Sequence, residues 1–183
     1  MKIIIGLGNP GKDYEKTRHN VAWLFFDHLL PGVNWTFNKK WNALTYQEGG
    51  ILFVKPQNFM NNSGLVARKA LDFYSLLPKN LGWLTKKNTN LEDDLLVIQD
   101  ELDLDFGKYK LSHDSNSAGH RGVQSIINHL KTKNFTRLRI GIKSELLRNP
   151  IPPDRFVMQR FSFEELNQLP KIFSEIKEQE KLI

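Results

Sequence analysis

Two hydrophobic periods alternate along this chain. Lys2–Gly8 is a short apolar run that breaks at Asn9-Pro10-Gly11, the pattern of a buried strand ending in a turn. After the polar stretch Lys12–Arg18, the segment Asn20–Leu30 carries apolar residues on nearly every side, as a buried helix does. Asn34–Asn38, Leu44–Glu48 and Ile51–Lys55 read as short strands, and Gly49-Gly50 between the last two predicts an antiparallel hairpin. Beyond Pro56 and the polar stretch Gln57–Ser63, the residues Val66, Ala70, Leu71 and Tyr74 recur at helical spacing. Leu95–Ile98 is a compact aliphatic strand running into Gln99-Asp100-Glu101, and Lys108–Leu111 is another short strand. A helix over Gly122–Leu130, a strand over Leu138–Ile142 and a helix over Glu164–Leu182 complete the pattern. Pro170 is expected to kink the last helix or delay its start.

The longest irregular stretch, Leu77–Asp93, holds Pro78, Gly82, Lys86, Lys87 and several Asn, and predicts an insertion or lid near 77–93. No repeat, low-complexity tract or linker divides the 183 residues, a length that suits one domain. The expected architecture over 1–183 is therefore α/β: a single domain with a mixed, mostly parallel sheet and helices on both faces.

Composition adds exclusions. With 40% hydrophobic and 25% charged residues the chain has ordinary globular usage. Its first apolar run is cut too early for a secretory or membrane-spanning segment, so a cytoplasmic protein without a membrane partner is expected. The absence of cysteine rules out disulfides, a thiolate nucleophile and thiolate metal ligands, leaving oxygen and imidazole groups for any chemistry. A formal charge of +6 favours a polyanionic partner, although the same charge also serves solubility.

Gly6-Leu7-Gly8-Asn9-Pro10-Gly11 matches the glycine fingerprint of dinucleotide-binding folds, but it leads into the polar Lys12–Arg18 rather than into the start of a helix. Close backbone packing is the commoner use of such glycines. His19 stands between this polar segment and the first helix, at a rim where α/β folds place active sites; alone, it reads equally as a capping or surface histidine. Asp100, at a strand end, is its candidate partner, because a carboxylate on one ring nitrogen makes the other a stronger base. Asn9 and Asn61 sit in polar turns from which an amide can donate to a carbonyl developing negative charge, or simply close the turn. No serine occupies a nucleophile elbow, so attack by water suits the inventory.

His113, Asp114 and His120 lack a recognised ligand spacing, so no metal is expected, and no cofactor. His28 and His129 fall within predicted helices, where packing or a helix-end contact is their ordinary role. Lys108 and Lys110 alternate on one strand and Arg137 and Arg139 on another, giving two cation pairs that suit a phosphate clamp or a solvated sheet face.

In order along the chain, Gly6-Leu7-Gly8-Asn9-Pro10-Gly11, Tyr14, Thr17-Arg18-His19-Asn20, Phe59-Met60-Asn61, Ser63-Gly64 and Asp100-Glu101-Leu102-Asp103-Leu104 resemble the bacterial-type peptidyl-tRNA hydrolase family. Gly119-His120, Gly122 and Arg137-Leu138-Arg139-Ile140-Gly141-Ile142 continue the match, which extends more loosely through Arg155-Phe156-Val157. The resemblance implies a monomeric domain that hydrolyses the ester joining a peptide to the terminal ribose of transfer RNA, freeing both for reuse. It implies His19 as general base, Asp100 as the residue that orients it, and Asn9 and Asn61 as groups holding the ester or its water. Tyr14 and Met60 would line the same cleft, and Lys108, Lys110 and Arg139 would meet tRNA phosphates.

The chain departs from the family pattern at Arg121, where an amide is usual. A guanidinium cannot accept a hydrogen bond, so Arg121 is expected to grip a phosphate or a peptide carbonyl, with Asn116 partly standing in for the amide. The Ser112–Ala118 loop is less glycine-rich than the family's, and the 77–93 segment looks longer. Two other functions stay open on residues alone: a noncatalytic RNA-binding relative of the same fold, and a nucleotide-dependent oxidoreductase resting on the glycine fingerprint. Retention of His19, Asp100, Asn9 and Asn61 weighs against the first.

Overall fold

Ile3, Ile4 and Ile5 are all fully buried, because the strand they form is covered on both faces. The computed structural model describes residues 1–80, 84–144 and 151–180. In chain order the elements are β1 (Lys2–Gly6), α1 (Val21–Leu29), β2 (Thr36–Asn38), β3 (Ala43–Glu48), β4 (Ile51–Pro56), α2 (Ser63–Phe73), β5 (Lys79–Asn80), β6 (Leu84–Thr85), β7 (Leu91–Asp105), β8 (Tyr109–Ser112), α3 (Arg121–Leu130), β9 (Phe135–Lys143), α4 (Pro153–Phe156) and α5 (Phe163–Glu180).

The main sheet has seven strands in the order β2-β3-β4-β1-β7-β9-β8. Its central four, β4-β1-β7-β9, run parallel, whereas β2 and β3 on one side and β8 on the other are antiparallel additions. Alternation along the strands divides the core in two. Ile4, Phe53, Leu96, Ile98, Leu138 and Ile140 pack with α1 and α5 on one face, while Ile3, Ile5, Val54, Leu95 and Val97 pack with α2 and α3 on the other. The helix after β1 thus covers one face and the helix after β4 the opposite one. That divergence opens a crevice at the carboxyl ends of the parallel strands.

Gly6 and Gly8 owe their identity to helix packing. A Cβ on Gly6 would lie 2.7 Å from the Phe26 ring, and one on Gly8 2.7 Å from the Trp23 indole, whose Nε1 donates to the Gly6 carbonyl at 2.8 Å. The aromatic side chains of α1 therefore lie directly on the backbone of β1 and its turn. This accounts for the glycine fingerprint without a nucleotide.

Three expectations need adjustment. β7 extends from Leu91 to Asp105, well beyond the expected aliphatic core, with irregularities in its pairing to β9 between Leu91 and Leu96 and between Glu101 and Asp105. Within 77–93, Lys79–Asn80 pairs with Leu84–Thr85, and Leu91–Asp93 belong to β7; positions 81–83 lie outside the described residues. The Asn88 N–H donates to the Lys131 carbonyl beyond the far end of α3, so this segment sits away from the Asp100 end of the sheet. Finally, α5 starts at Phe163 and continues through Pro170, which is exposed. Proline inside a helix costs about 3 kcal/mol, whereas burying an apolar side chain contributes roughly 1.5–3 kcal/mol. Leu169, Ile172, Phe173 and Ile176, all buried, outweigh it.

Candidate active site

At the carboxyl ends of the parallel strands lies a cleft of about 790 Å³, with Asn9, His19, Phe59, Met60, Asn61 and Asp100 in its lining. Glu101, Leu102, Asp103, residues 117–121, Pro153, Asp154, Val157 and Met158 complete the wall. No described residue of 77–93 lines it.

Asp100 is 3% exposed, held in β7 between its parallel neighbours β1 and β9. His19 lies in the 3-10 turn Arg18–Asn20 that leads into α1, and its Nδ1 is 2.8 Å from Asp100 Oδ1. His120 Nε2 approaches the same oxygen at 3.0 Å, and the two rings lie 5.1 Å apart. His120 is also the N-cap of α3: its Nδ1 accepts from the backbone N–H groups of Gly122 and Val123 at 3.2 and 3.4 Å. This network assigns the His120 proton to Nε2, donated to Asp100. A proton on His19 Nδ1, likewise donated to Asp100, leaves His19 Nε2 with a free lone pair.

Burial pushes the Asp100 carboxyl up, but the charges of His19 and His120 when protonated, together with the hydrogen bonds of both, outweigh it and hold Asp100 well below the usual carboxylate range. A carboxylate depressed in the folded state adds stability that is complete above its unfolded pKa, near 3.8. That stability disappears as pH falls from there through the lower folded value. Thermal melts should therefore show wild type losing stability more steeply than Asp100→Asn below about pH 4. Parallel curves for the two would mean that Asp100 titrates as an ordinary carboxylate.

Asn9 is fixed on three sides. Its backbone N–H donates to Asn20 Oδ1 and its carbonyl accepts from Asn20 Nδ2, both at 2.9 Å, while its own Oδ1 accepts from the Met60 N–H at 2.9 Å. Only Nδ2 is left, with the Met158 thioether at 3.9 Å as its one protein neighbour among the described contacts. Asn61, exposed in the 3-10 turn Met60–Asn62, faces the same cleft.

His19 is held from behind. Its N–H donates to the Val157 carbonyl at 2.8 Å, and the Arg18 N–H to the Gln159 carbonyl at 2.9 Å. The Arg18 side chain, fully buried, makes a bidentate pair with Glu165 at 2.9 and 2.7 Å and lies over the Phe156 and Phe161 rings. The turn carrying His19 is thereby tied to the segment between α4 and α5.

Among the described residues, the group whose ligand atoms converge as a metal site would require is His19, Asp100 and His120. The nitrogen–oxygen separations of 2.8 and 3.0 Å are those of N–H···O bonds. His120 Nδ1 is already occupied by backbone donors. The arrangement is that of a hydrogen-bonded acid–base set.

The family model described as peptidyl-tRNA hydrolase matches residues 3–183. The chain belongs to the peptidyl-tRNA hydrolase family. It is 42% identical over 182 residues to a peptidyl-tRNA hydrolase of Mycoplasma mycoides, covering 94% of this chain and 87% of that protein. It is 37% identical over 180 residues to one from Persephonella marina, covering 95% and 86%. The crystal structure of the peptidyl-tRNA hydrolase from Acinetobacter baumannii superposes with a TM-score of 0.79 at 27% identity, over 100% of this chain and 87% of that one.

Within this peptidyl-tRNA hydrolase fold the other expected residues divide. Met60 lines the cleft, while Tyr14 does not; its ring meets the edge of Phe59, 6.3 Å away, and supports the rim from outside. Arg121 is exposed at the first position of α3 and lines the cleft; Asn116 does not. Lys108 and Lys110 are exposed at β8, and Lys110 pairs with Arg139 across the strands. Arg139 Nε, however, is bonded to Glu101 Oε2 at 2.7 Å. Arg137 is 2% exposed and donates to Ser115 Oγ and to the Asn116 carbonyl, so it anchors a loop instead of pairing with Arg139 on an open face. Burial, followed by the Arg139 charge, lowers its pKa.

His120, Asn20 and Arg18 stand in the motifs that carry the family resemblance, but no role at the site was expected of them. For His120 a local signal existed, since it immediately precedes the expected helix start near Gly122, where a capping side chain belongs. Asn20 and Arg18 had no such signal, because their partners lie far along the chain.

Proposed function

We propose that the chain hydrolyses the ester between a peptide and the terminal ribose of tRNA, with His19 as general base. The observation that carries this reading is the His19–Asp100 pair opening onto the cleft, with no partner for the second ring nitrogen of His19 among the described residues. Asp100 fixes the ring and stabilises the imidazolium that forms. His19 Nε2 takes a proton from water, and the resulting hydroxide oxygen attacks the ester carbonyl carbon. Asn9 Nδ2 and the Asn61 amide donate to the carbonyl oxygen as it gains negative charge. The ribose oxygen then leaves with the proton returned by the imidazolium, giving tRNA and a peptide carboxylic acid that loses its proton to solvent. His120 positions Asp100 through the shared oxygen.

Met60 forms part of the peptide wall, Tyr14 props Phe59, and Arg121 donates to a peptide carbonyl or a phosphate. No metal or cofactor takes part in this reading. We also read the protein as a cytoplasmic monomer; among the described residues no helix is long and apolar enough to cross a membrane.

The exposed cations Lys108 and Lys110, with Arg139 beside them, would meet tRNA phosphates. Lys110→Ala should weaken tRNA binding and reduce the slope of log K against log salt by about one counterion. Arg139→Ala should change the slope less, because Arg139 must first give up Glu101. Equal slopes for wild type and Lys110→Ala would exclude that phosphate contact.

The function itself is tested by incubating the purified chain with peptidyl-tRNA and measuring peptide release over time. Catalytic release is expected. Binding of tRNA with release no faster than in buffer would select the noncatalytic reading instead.

A further inference from the structure

We propose that Met158 is an oxidation site whose sulfoxide shuts the cleft by capturing the Asn9 amide. The proposal rests on the reading of Asn9 as a substrate-binding donor. Met158 is 40% exposed and lines the same cleft as His19. Its sulfur is 3.9 Å from Asn9 Nδ2. A thioether is a weak acceptor, so in the reduced protein this donor remains available to a carbonyl oxygen. Asn9 cannot turn away, because its Oδ1 is held by the Met60 N–H and its backbone by both polar atoms of the Asn20 amide.

The modifying agent is a hydroperoxide such as hydrogen peroxide. A sulfur lone pair attacks the terminal peroxide oxygen, the O–O bond breaks, an S–O bond forms, and the other oxygen leaves as water after proton transfer. Sulfur is oxidised by two electrons and the peroxide reduced by two. The product carries a strong acceptor oxygen on the atom already facing Asn9 Nδ2, and turns an apolar piece of the rim polar.

The inventory of sulfur leaves Met158 as the exposed sulfur lining the cleft. The chain has no cysteine and three methionines. Met60 is 5% exposed, and Met1, although 43% exposed, does not line the cleft. Thiol oxidation therefore cannot compete, and Met158 is the reactive sulfur at the cleft. Methionine sulfoxide is enzymatically reducible, so the switch is reversible.

The test treats the protein with hydrogen peroxide, maps added oxygen by peptide mass spectrometry and measures peptidyl-tRNA hydrolysis. Turnover is expected to fall on the order of 10²-fold, the scale of losing one such donor, in step with Met158 oxidation, and to return after treatment with methionine sulfoxide reductase. Met158→Leu, compared with its own untreated rate, should resist peroxide, whereas Met60→Leu should remain sensitive. The proposal is overturned if protein oxidised at Met158 turns over as fast as reduced protein, or if Met158→Leu is inactivated as fast as wild type. Untreated Asn9→Ala separates the two levels. Wild-type turnover in that variant would remove the role of Asn9 and this proposal with it. Slow turnover there, together with fast turnover of oxidised wild type, would remove the methionine switch alone.

Discussion

His19→Ala should lower kcat for peptidyl-tRNA hydrolysis by about 10³-fold, within the range for a positioned general base, while tRNA affinity changes little. The two effects separate because His19 and the exposed lysines occupy different surfaces. His19 lies in the turn before α1 at the head of the crevice, whereas Lys110 is on β8 at the edge of the sheet. Removing the imidazole deletes the group that takes the proton and leaves the outlying cations in place. It also leaves Asp100 with His120 as its remaining imidazole partner, so the buried carboxylate is not orphaned and the variant should fold. Single-turnover rates and tRNA titrations on the same preparation check both halves. A variant that hydrolyses within a few-fold of wild type would falsify the assignment of His19 as base.

The central architecture was legible because the hydrophobic pattern follows local chain geometry. Ile3–Ile5, Ile51–Val54 and Leu95–Ile98 are apolar runs, and each became a parallel strand buried on both faces. Gly49-Gly50 supplied two positive φ values, 55° and 80°, at the expected hairpin. The ends of β7 were harder, because Glu92, Asp93 and Asp94 are poor strand formers by composition. They fall in the irregularity between the pairs Leu91–Phe135 and Leu96–Thr136 and are held in β7 by those flanking pairs and by the Thr136 hydroxyl, which donates to the Glu92 carbonyl, a tertiary effect. At the other end Leu102-Asp103-Leu104-Asp105 does alternate with period two, and that alternation was the available signal.

The site was legible in part for the same reason. Asp100 and Asn9 come directly after apolar strands, so their position at the carboxyl ends could be read from the pattern. That His19 and His120 share one Asp100 oxygen could not, since it depends on how the starts of α1 and α3 converge across the crevice. Alternation likewise put Arg137 and Arg139 on one face, and it is silent about what covers that face. The loop from Ser115 to Ser117 buries Arg137, and Glu101 binds Arg139, leaving Lys108 and Lys110 as the exposed members of the two pairs.

Arg18→Ala should produce the largest loss of stability, about 3–5 kcal/mol, the cost of breaking a buried pair by removing one partner. Against a total of roughly 5–15 kcal/mol this leaves little margin at physiological temperature. Arg18 is fully buried, donates to both Glu165 oxygens and to the Ile142 carbonyl, and fills the space between two aromatic rings. Its removal leaves a cavity and a poorly solvated carboxylate. Glu165 has a second duty, accepting from the Ser162 N–H while its own N–H donates to Ser162 Oγ, a capping box at the start of α5. Glu165→Gln retains that box but not the ion pair, so comparing it with Arg18→Ala separates charge from capping. The double variant Arg18→Met with Glu165→Gln leaves no unpaired charge and keeps an apolar side chain between Phe156 and Phe161. Denaturant unfolding should place it well above Arg18→Ala, because the penalty of a single deletion comes mainly from the partner left behind. If the double variant is as unstable as Arg18→Ala, the pair itself holds the His19 turn onto α5, and apolar filling cannot replace it.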